Sequence, residues 1–169
     1  MLDWREEPIA RRHDRKSFDC GSQALNDYLA GYARQNHELG GARTFVAVNP
    51  RELERILGYY TISPGAIDFA SVPEHLTRKL GRYDVPVFRL GRLAVDLGVQ
   101  GQGLGGELLL NAGKRALAVA AQVGGVALAI DAKDEPAARW YQRFGAVRLL
   151  DAPRKLILPL ETIARAIRL

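Results

Sequence analysis

Residues 99–109 read VQGQGLGGELL and place four glycines, Gly101, Gly103, Gly105 and Gly106, directly before a leucine-rich run. Glycine removes the Cβ that would keep a ligand off the backbone, and it accepts positive φ. A strand, a glycine loop and then a helix make a site for an anion. The first N–H groups of the helix lack internal partners, and the helix dipole adds partial positive charge there. A tight strand-to-helix turn with no ligand has the same composition. The spacing Gly101-x-Gly103-x-x-Gly106 also matches the dinucleotide-binding fingerprint, with Asp131 at the end of the next strand as the acidic partner. That fold needs several further strand–helix units, whereas only a short helix, a hairpin and a terminal stub follow here.

The flanking elements must hold this loop. Ser22–Gly40 reads as a helix with apolar residues at Leu25, Tyr28, Leu29, Tyr32 and Ala33, a Ser22 cap and a split at Gly31. RTFVAVNP, from Arg43, and RILGYYTISPGAIDFA, from Arg55, read as a hairpin whose second strand breaks near Pro64-Gly65. SVPEHLTRKL is a short helix, and VPVFRLGRLAVD is a strand with a bulge expected at Leu90-Gly91-Arg92. After the loop, Leu104, Leu108, Leu109, Ala112, Ala116, Val119, Ala120 and Val123 share one helical face. GVALAIDA is an apolar strand of the kind buried on both sides. DEPAARWYQRFGA is a helix capped by Asp134 and ended by Gly145, followed by a hairpin and a last helix. The order is mixed α/β, within a single domain over residues 1–169.

Composition narrows the class. The chain is 47% hydrophobic and 25% charged, which suits a globular core. Its charged start, MLDWREEPIARRHDRK, lacks the apolar run of a secretory signal, and no stretch approaches the about 20 apolar residues that span a bilayer. A single cysteine, Cys20, fits a reducing cytoplasm, and no metal-ligand spacing occurs. His13, His37 and His75 fall near element ends and are expected at the surface. Net charge is +5, with nineteen Arg against five Lys. The planar fork of Arg suits phosphate, so an acidic cofactor or a nucleic acid fits this balance, as does a GC-rich coding bias.

Three pieces together resemble the GNAT family of N-acetyltransferases. Gln100-Gly101-Gln102-Gly103-Leu104-Gly105 is similar to its pyrophosphate loop, Arg/Gln-x-x-Gly-x-Gly/Ala. RLGRLAV precedes the loop as the family's strand does, and RWYQRFGA carries the later aromatic pair before a glycine. The N-terminal third resembles the family's toxin subgroup, through Phe18, Cys20, Gly21, Leu25, Tyr28, Leu29, Ala33 and Gln35. This resemblance implies a central mixed, twisted sheet of about six to seven strands flanked by helices. It implies an acetyl-CoA-dependent acetyltransferase acting on the amino acid carried by charged tRNA, silenced by a ribbon-helix-helix antitoxin and commonly dimeric.

Residue roles follow from the resemblance. Gln100, Gly101, Gln102, Gly103, Leu104, Gly105 and Gly106 would hold the pyrophosphate. The backbone of Leu93, Ala94 and Val95 would pair with the pantetheine arm like a neighbouring strand. Tyr141 would be the general acid toward the departing thiolate, since a phenol of pKa near 10 stays protonated at neutral pH. Phe144 is its expected neighbour on that helix face. No base is needed if the acceptor is an α-amino group of pKa near 7.7–8.0 that esterification lowers further. Arg34, Arg78, Lys79 and Arg92 are candidates to hold the tRNA. Two alternatives stand beside this reading: a GNAT enzyme acting on a protein N-terminus or small polyamine, and a dinucleotide-binding or regulatory module.

Overall fold

The computed structural model describes residues 1–78, 80 and 82–168. Strand β1 is Arg5–Pro8, and helices α1 and α2 are Gln23–Gly31 and Ala33–Leu39. Strands β2 and β3 are Arg43–Asn49 and Glu52–Ile67; α3 is Glu74–Thr77, β4 is Val85–Val95 and α4 is Leu104–Val123. Then come β5 (Ala127–Asp131), α5 (Glu135–Arg143), β6 (Val147–Arg148), β7 (Lys155–Pro159) and α6 (Leu160–Arg168). The strands form one seven-stranded sheet in the order β1-β2-β3-β4-β5-β7-β6. It is mixed: β4 and β5 run parallel, while β1–β2, β2–β3, β5–β7 and β6–β7 are antiparallel.

The chain divides into two compact units, residues 1–63 with 92–112 and residues 64–91 with 113–169. The first is built around Phe18, Leu29, Val46, Val48, Ile56 and Tyr59, all buried. Phe18 meets the Tyr59 ring edge-on, with centroids 5.6 Å apart, and the Tyr59 hydroxyl donates to the Leu25 carbonyl at 2.7 Å. Gly58 of β3 lets α4 come close. A Cβ there would lie 2.9 Å from Leu108 Cδ1 and 3.0 Å from the Ala94 carbonyl oxygen. The second unit centres on Val72, Val85, Val87, Ala127, Leu149 and Ile157.

Several local expectations change. Strand β1 has the polar sequence REEP and shows no alternation, yet it pairs with β2 from Arg5↔Val48 to Pro8↔Phe45. Its inward charge, Glu7, is buried and accepts from Arg12 (2.6 Å), Arg5 (2.8 Å) and His13 Nε2 (2.9 Å). His13 Nδ1 accepts from the Ala10 N–H, so the ring proton on Nε2 faces Glu7. Burial alone would raise the Glu7 carboxyl, but the hydrogen bonds from Arg12, His13 and Arg5 outweigh it and bring the pKa down to about 2. His13 is therefore a core residue, His37 is half-buried, and only His75 is exposed as expected.

Strand β3 does not break at Pro64-Gly65 but continues to Ile67. Its pairing with β2 ends at Arg43↔Ile62, so the missing N–H of Pro64 lies beyond that ladder. The helix split falls at Tyr32, next to Gly31, as expected; Ser22 sits at the cap position of α1 without a side-chain bond. On α4 the buried stripe stops early. Leu104, Leu108, Leu109, Ala112 and Ala116 are buried, but Val119 and Val123 are exposed. A helix of this length spans about 30 Å, and its last turns outrun the apolar cover.

Candidate active site

The loop is fixed by side chains behind it. Gln100 Nε2 donates to the Val95 carbonyl at 2.9 Å and to the Cys20 carbonyl at 3.1 Å. The Asp96 carboxylate accepts from the Gly98 and Asp19 N–H groups, and the Leu97 N–H donates to the Asp19 carbonyl. Asp19 in turn accepts from the Gly21 N–H and the Asn26 side chain, which hold its carboxyl below the ordinary range. The segment Phe18–Gly21 thus braces the loop from about 80 residues away in sequence. Phe18, Cys20 and Gly21 stand in the toxin-like sequence pattern without an assigned task, and Asp19 stands outside it. Gln100, expected at the ligand, spends its side chain on this brace.

Beyond Gln100 the loop is open. Gly101 and Gly103 adopt φ of +81° and +85°, and an added Cβ at either would meet nothing within 4 Å. Gln102 is exposed and Gly105 and Gly106 are half-buried, while Leu104 is buried against Gly58 and anchors the first turn of α4. Backbone with left-handed glycines at 101 and 103, leading into the first amides of a twenty-residue helix, fits a pyrophosphate. Nearby, β4 pairs with β5 only over Val87–Leu90 and then runs on through Leu93, Ala94 and Val95. Ala94 is buried in the core of the first unit and the other two are half-buried, with the Val95 carbonyl taken by Gln100.

Arg92 lies in the same unit. Its guanidinium carbon stands 3.5 Å from the Tyr28 ring centroid. The two line a groove of about 520 Å³ with Asp27, Tyr32, Gln35 and Asn36. Arg92 is a tRNA candidate from the sequence, where nothing signals that Tyr28 and Tyr32 are its companions. Arg34 is half-buried and ion-paired with Glu38 at 2.7 Å. Arg78 is exposed at the end of α3 in the second unit, and Lys79 lies outside the described residues.

Tyr141 also belongs to the second unit, on α5. Asp134 caps that helix through the Ala137 N–H at 2.9 Å, and Gly145 closes it with φ of +100°. Tyr141 is buried, and burial pushes its phenol above the ordinary value. The ring pairing differs from expectation. Phe144 packs on Trp140, one turn earlier on the same stripe, with centroids 4.6 Å apart. Among the described residues no group of three His, Cys, Asp or Glu side chains gathers as a metal site would require.

The sequence pattern of the acetyltransferase (GNAT) family matches residues 4–146. The chain belongs to the GNAT family. Within it, the chain is 36% identical over 136 residues to a tRNA-acetylating toxin of Mycobacterium tuberculosis, covering 80% of each. Among solved GNAT structures it is similar to a tyrosine-to-phenylalanine variant of KacT, with TM-score 0.92 and 30% identity over 98% of this chain and 99% of that one. It is also similar to AtaT complexed with acetyl-methionyl-tRNAfMet, with TM-score 0.90 and 27% identity over 98% of this chain and 99% of that one. AtaT with its antitoxin AtaR has also been solved bound with AcCoA, at TM-score 0.86 and 29% identity over 99% of both chains. As a GNAT acetyltransferase the chain is an enzyme of mixed α/β fold.

Proposed function

We propose that this enzyme is the toxin of a toxin–antitoxin pair and moves acetyl from acetyl-CoA to the α-amino group of an aminoacyl-tRNA, which blocks translation. The observation that carries this reading is the near-complete overlap with AtaT, a protein solved with acetyl-methionyl-tRNA. The identity with the mycobacterial tRNA-acetylating toxin supports it. Acetyl-CoA, when bound, supplies the acetyl group as a thioester.

This chain's residues then divide the work. Gly101, Gly103 and the first amides of α4 hold the pyrophosphate. Backbone groups of Leu93, Ala94 and Val95 align the arm that carries the acetyl group, as an added strand would. Tyr141 keeps its proton at neutral pH because burial raises its pKa, and its hydroxyl gives that proton to the departing thiolate. The acceptor is an α-amino group of pKa near 7.7–8.0, lowered by esterification, so its neutral form needs no base from the protein. Arg34, Arg78, Lys79 and Arg92 supply positive charge for the tRNA. The reading brings with it a cytoplasmic setting, a homodimer and a cognate ribbon-helix-helix antitoxin. Light scattering on the purified protein reads the dimer directly.

The test incubates the protein with labelled acetyl-CoA and a pool of charged tRNA. Label is expected on the aminoacyl moiety. Label on a peptide N-terminus or a polyamine, with none on tRNA, overturns the acceptor. Melting curves should rise with acetyl-CoA and not with NAD, because only a ligand of the native state stabilises it.

A further inference from the structure

The groove on α1 and α2 combines groups that suit one nucleotide. Tyr32 is 65% exposed, so its ring face is open to a ligand. Its ring lies nearly parallel to that of Tyr28, at 20° with centroids 6.3 Å apart. Tyr28 is itself locked: the Asn36 amide donates to its hydroxyl at 3.1 Å, and Arg92 covers its ring. A guanidinium stacked by its face keeps its N–H donors in the plane of the group, where a phosphate can take two of them. Asp27, the carboxylate on the groove, accepts from Gln23 at 2.6 Å. The exposed amide of Gln35 stands on the same rim, and an amide pairs with the donor–acceptor edge of adenine.

We propose that this groove is the seat of the acceptor's 3′-terminal adenosine, with the base stacked on Tyr32 and its phosphate on Arg92. The inference deepens the aminoacyl-tRNA reading and rests on it. Chain connectivity supports the placement. Arg92 immediately precedes Leu93–Val95, so a phosphate on its guanidinium lies within a few residues, at about 3.3 Å each, of the backbone assigned to the acetyl arm. An aminoacyl ester spans such a gap. The groove joins an apolar wall of Ala24, Leu39 and the two tyrosine rings to the charges of Arg92 and Asp27, and a nucleotide, with a flat base and a charged phosphate, uses both where an apolar amino-acid side chain would use only the first.

The experiment measures binding of the trinucleotide CCA by calorimetry, apart from any transfer, and then the KM for charged tRNA. Tyr32→Ala should weaken CCA binding and raise that KM by about tenfold, since base–aromatic stacking is lost. Tyr32→Phe, which keeps the ring, should restore both. Acetyl-CoA affinity reports that each variant is folded. Equal CCA affinity in parent and Tyr32→Ala, or no CCA binding by the parent, overturns the platform. So does a Tyr32→Ala variant that changes which amino acids are accepted while binding CCA normally, because the groove then holds the aminoacyl side chain. Failure of the tRNA reading is seen separately, as a parent enzyme that labels no charged tRNA.

Discussion

The loop at residues 100–106 and the groove on α1 and α2 sit in the same compact unit, and they are made of opposite materials. The loop presents mainly backbone: Gly101 and Gly103 stand open, Leu104 turns into the core, and Gln100 points back to the Val95 and Cys20 carbonyls. The groove is nearly all side chain, with Arg92 over the Tyr28 ring and Tyr32 nearly parallel to that ring. A backbone cradle is specified by φ and ψ, so it responds to substitutions through conformation. A side-chain platform is specified by ring and charge, so it responds through chemistry. The first arrangement suits a ligand shared across a family, and the second suits a substrate on which family members differ.

The chemical step belongs to neither region, because neither a cradle nor a platform transfers a proton. Tyr141→Phe removes one hydroxyl from a buried position and leaves both regions intact. The turnover rate should fall by about 10²- to 10⁴-fold, the usual cost of losing a general acid. Acetyl-CoA affinity should hold. An unchanged turnover would make Tyr141 a packing residue.

Gly103→Leu tests the backbone side. The position has φ of +85°, which costs a β-carbon residue about 1–2 kcal/mol, and the new side chain would occupy the open cradle. Acetyl-CoA binding should fall about a hundredfold or more in calorimetry, with CCA binding preserved. Gly103→Asn tolerates the left-handed backbone better and should lose less. If the two variants bind alike, the loop acts through side-chain exclusion alone and the contrast with the groove weakens.

The two regions were not equally legible in the sequence. Left-handed glycines at 101 and 103 answer a local demand, and the residue type announces it. The same holds for Asp134 and Gly145 at the ends of α5. The groove was hidden because its pairing of Tyr28 with Arg92 joins residues far apart in the chain, and each reads alone as core or surface. The brace of Gln100 on Cys20 is hidden for the same reason. Strand β1 escaped because REEP has no apolar alternation; its one buried residue, Glu7, is held by Arg5, Arg12 and His13 converging on it. Pattern also overshot at Val119 and Val123, where the helical period continues past the cover that buries earlier turns.

That brace supplies a milder test. Gln100→Ala deletes two hydrogen bonds to carbonyls, each worth about 1 kcal/mol net, from one edge of the loop. Acetyl-CoA affinity should drop by about tenfold while CCA binding stays near that of the parent. Gln100→Glu should be worse, because a carboxylate facing two carbonyl oxygens has no proton to offer. Equal loss of both ligands would mean that the brace supports the whole unit rather than the cradle.

The smallest effect on ligand binding is expected at Glu7, where the contrast between loop and groove should vanish. Glu7 lies on β1 in the unit that holds both regions, and its hydrogen-bond partners Arg5, Arg12 and His13 belong to neither. Its carboxyl titrates near 2 when folded, against 4.5 ordinarily, because three cationic or donor side chains stabilise the anion. A depressed folded pKa contributes stability that is complete above pH 4.5 and is lost as pH falls from there toward 2. The contribution is about 3 kcal/mol at most, given 1.36 kcal/mol per pH unit and the small exposure of the side chain. Urea midpoints should therefore decline from pH 5 to pH 3 in the parent. In Glu7→Gln the decline should be shallower from a lower plateau, since the neutral amide leaves Arg5 and Arg12 without their anion. At neutral pH, acetyl-CoA and CCA affinities of Glu7→Gln should match those of the parent. A selective loss of either ligand would tie β1 to one region and break the symmetry between them.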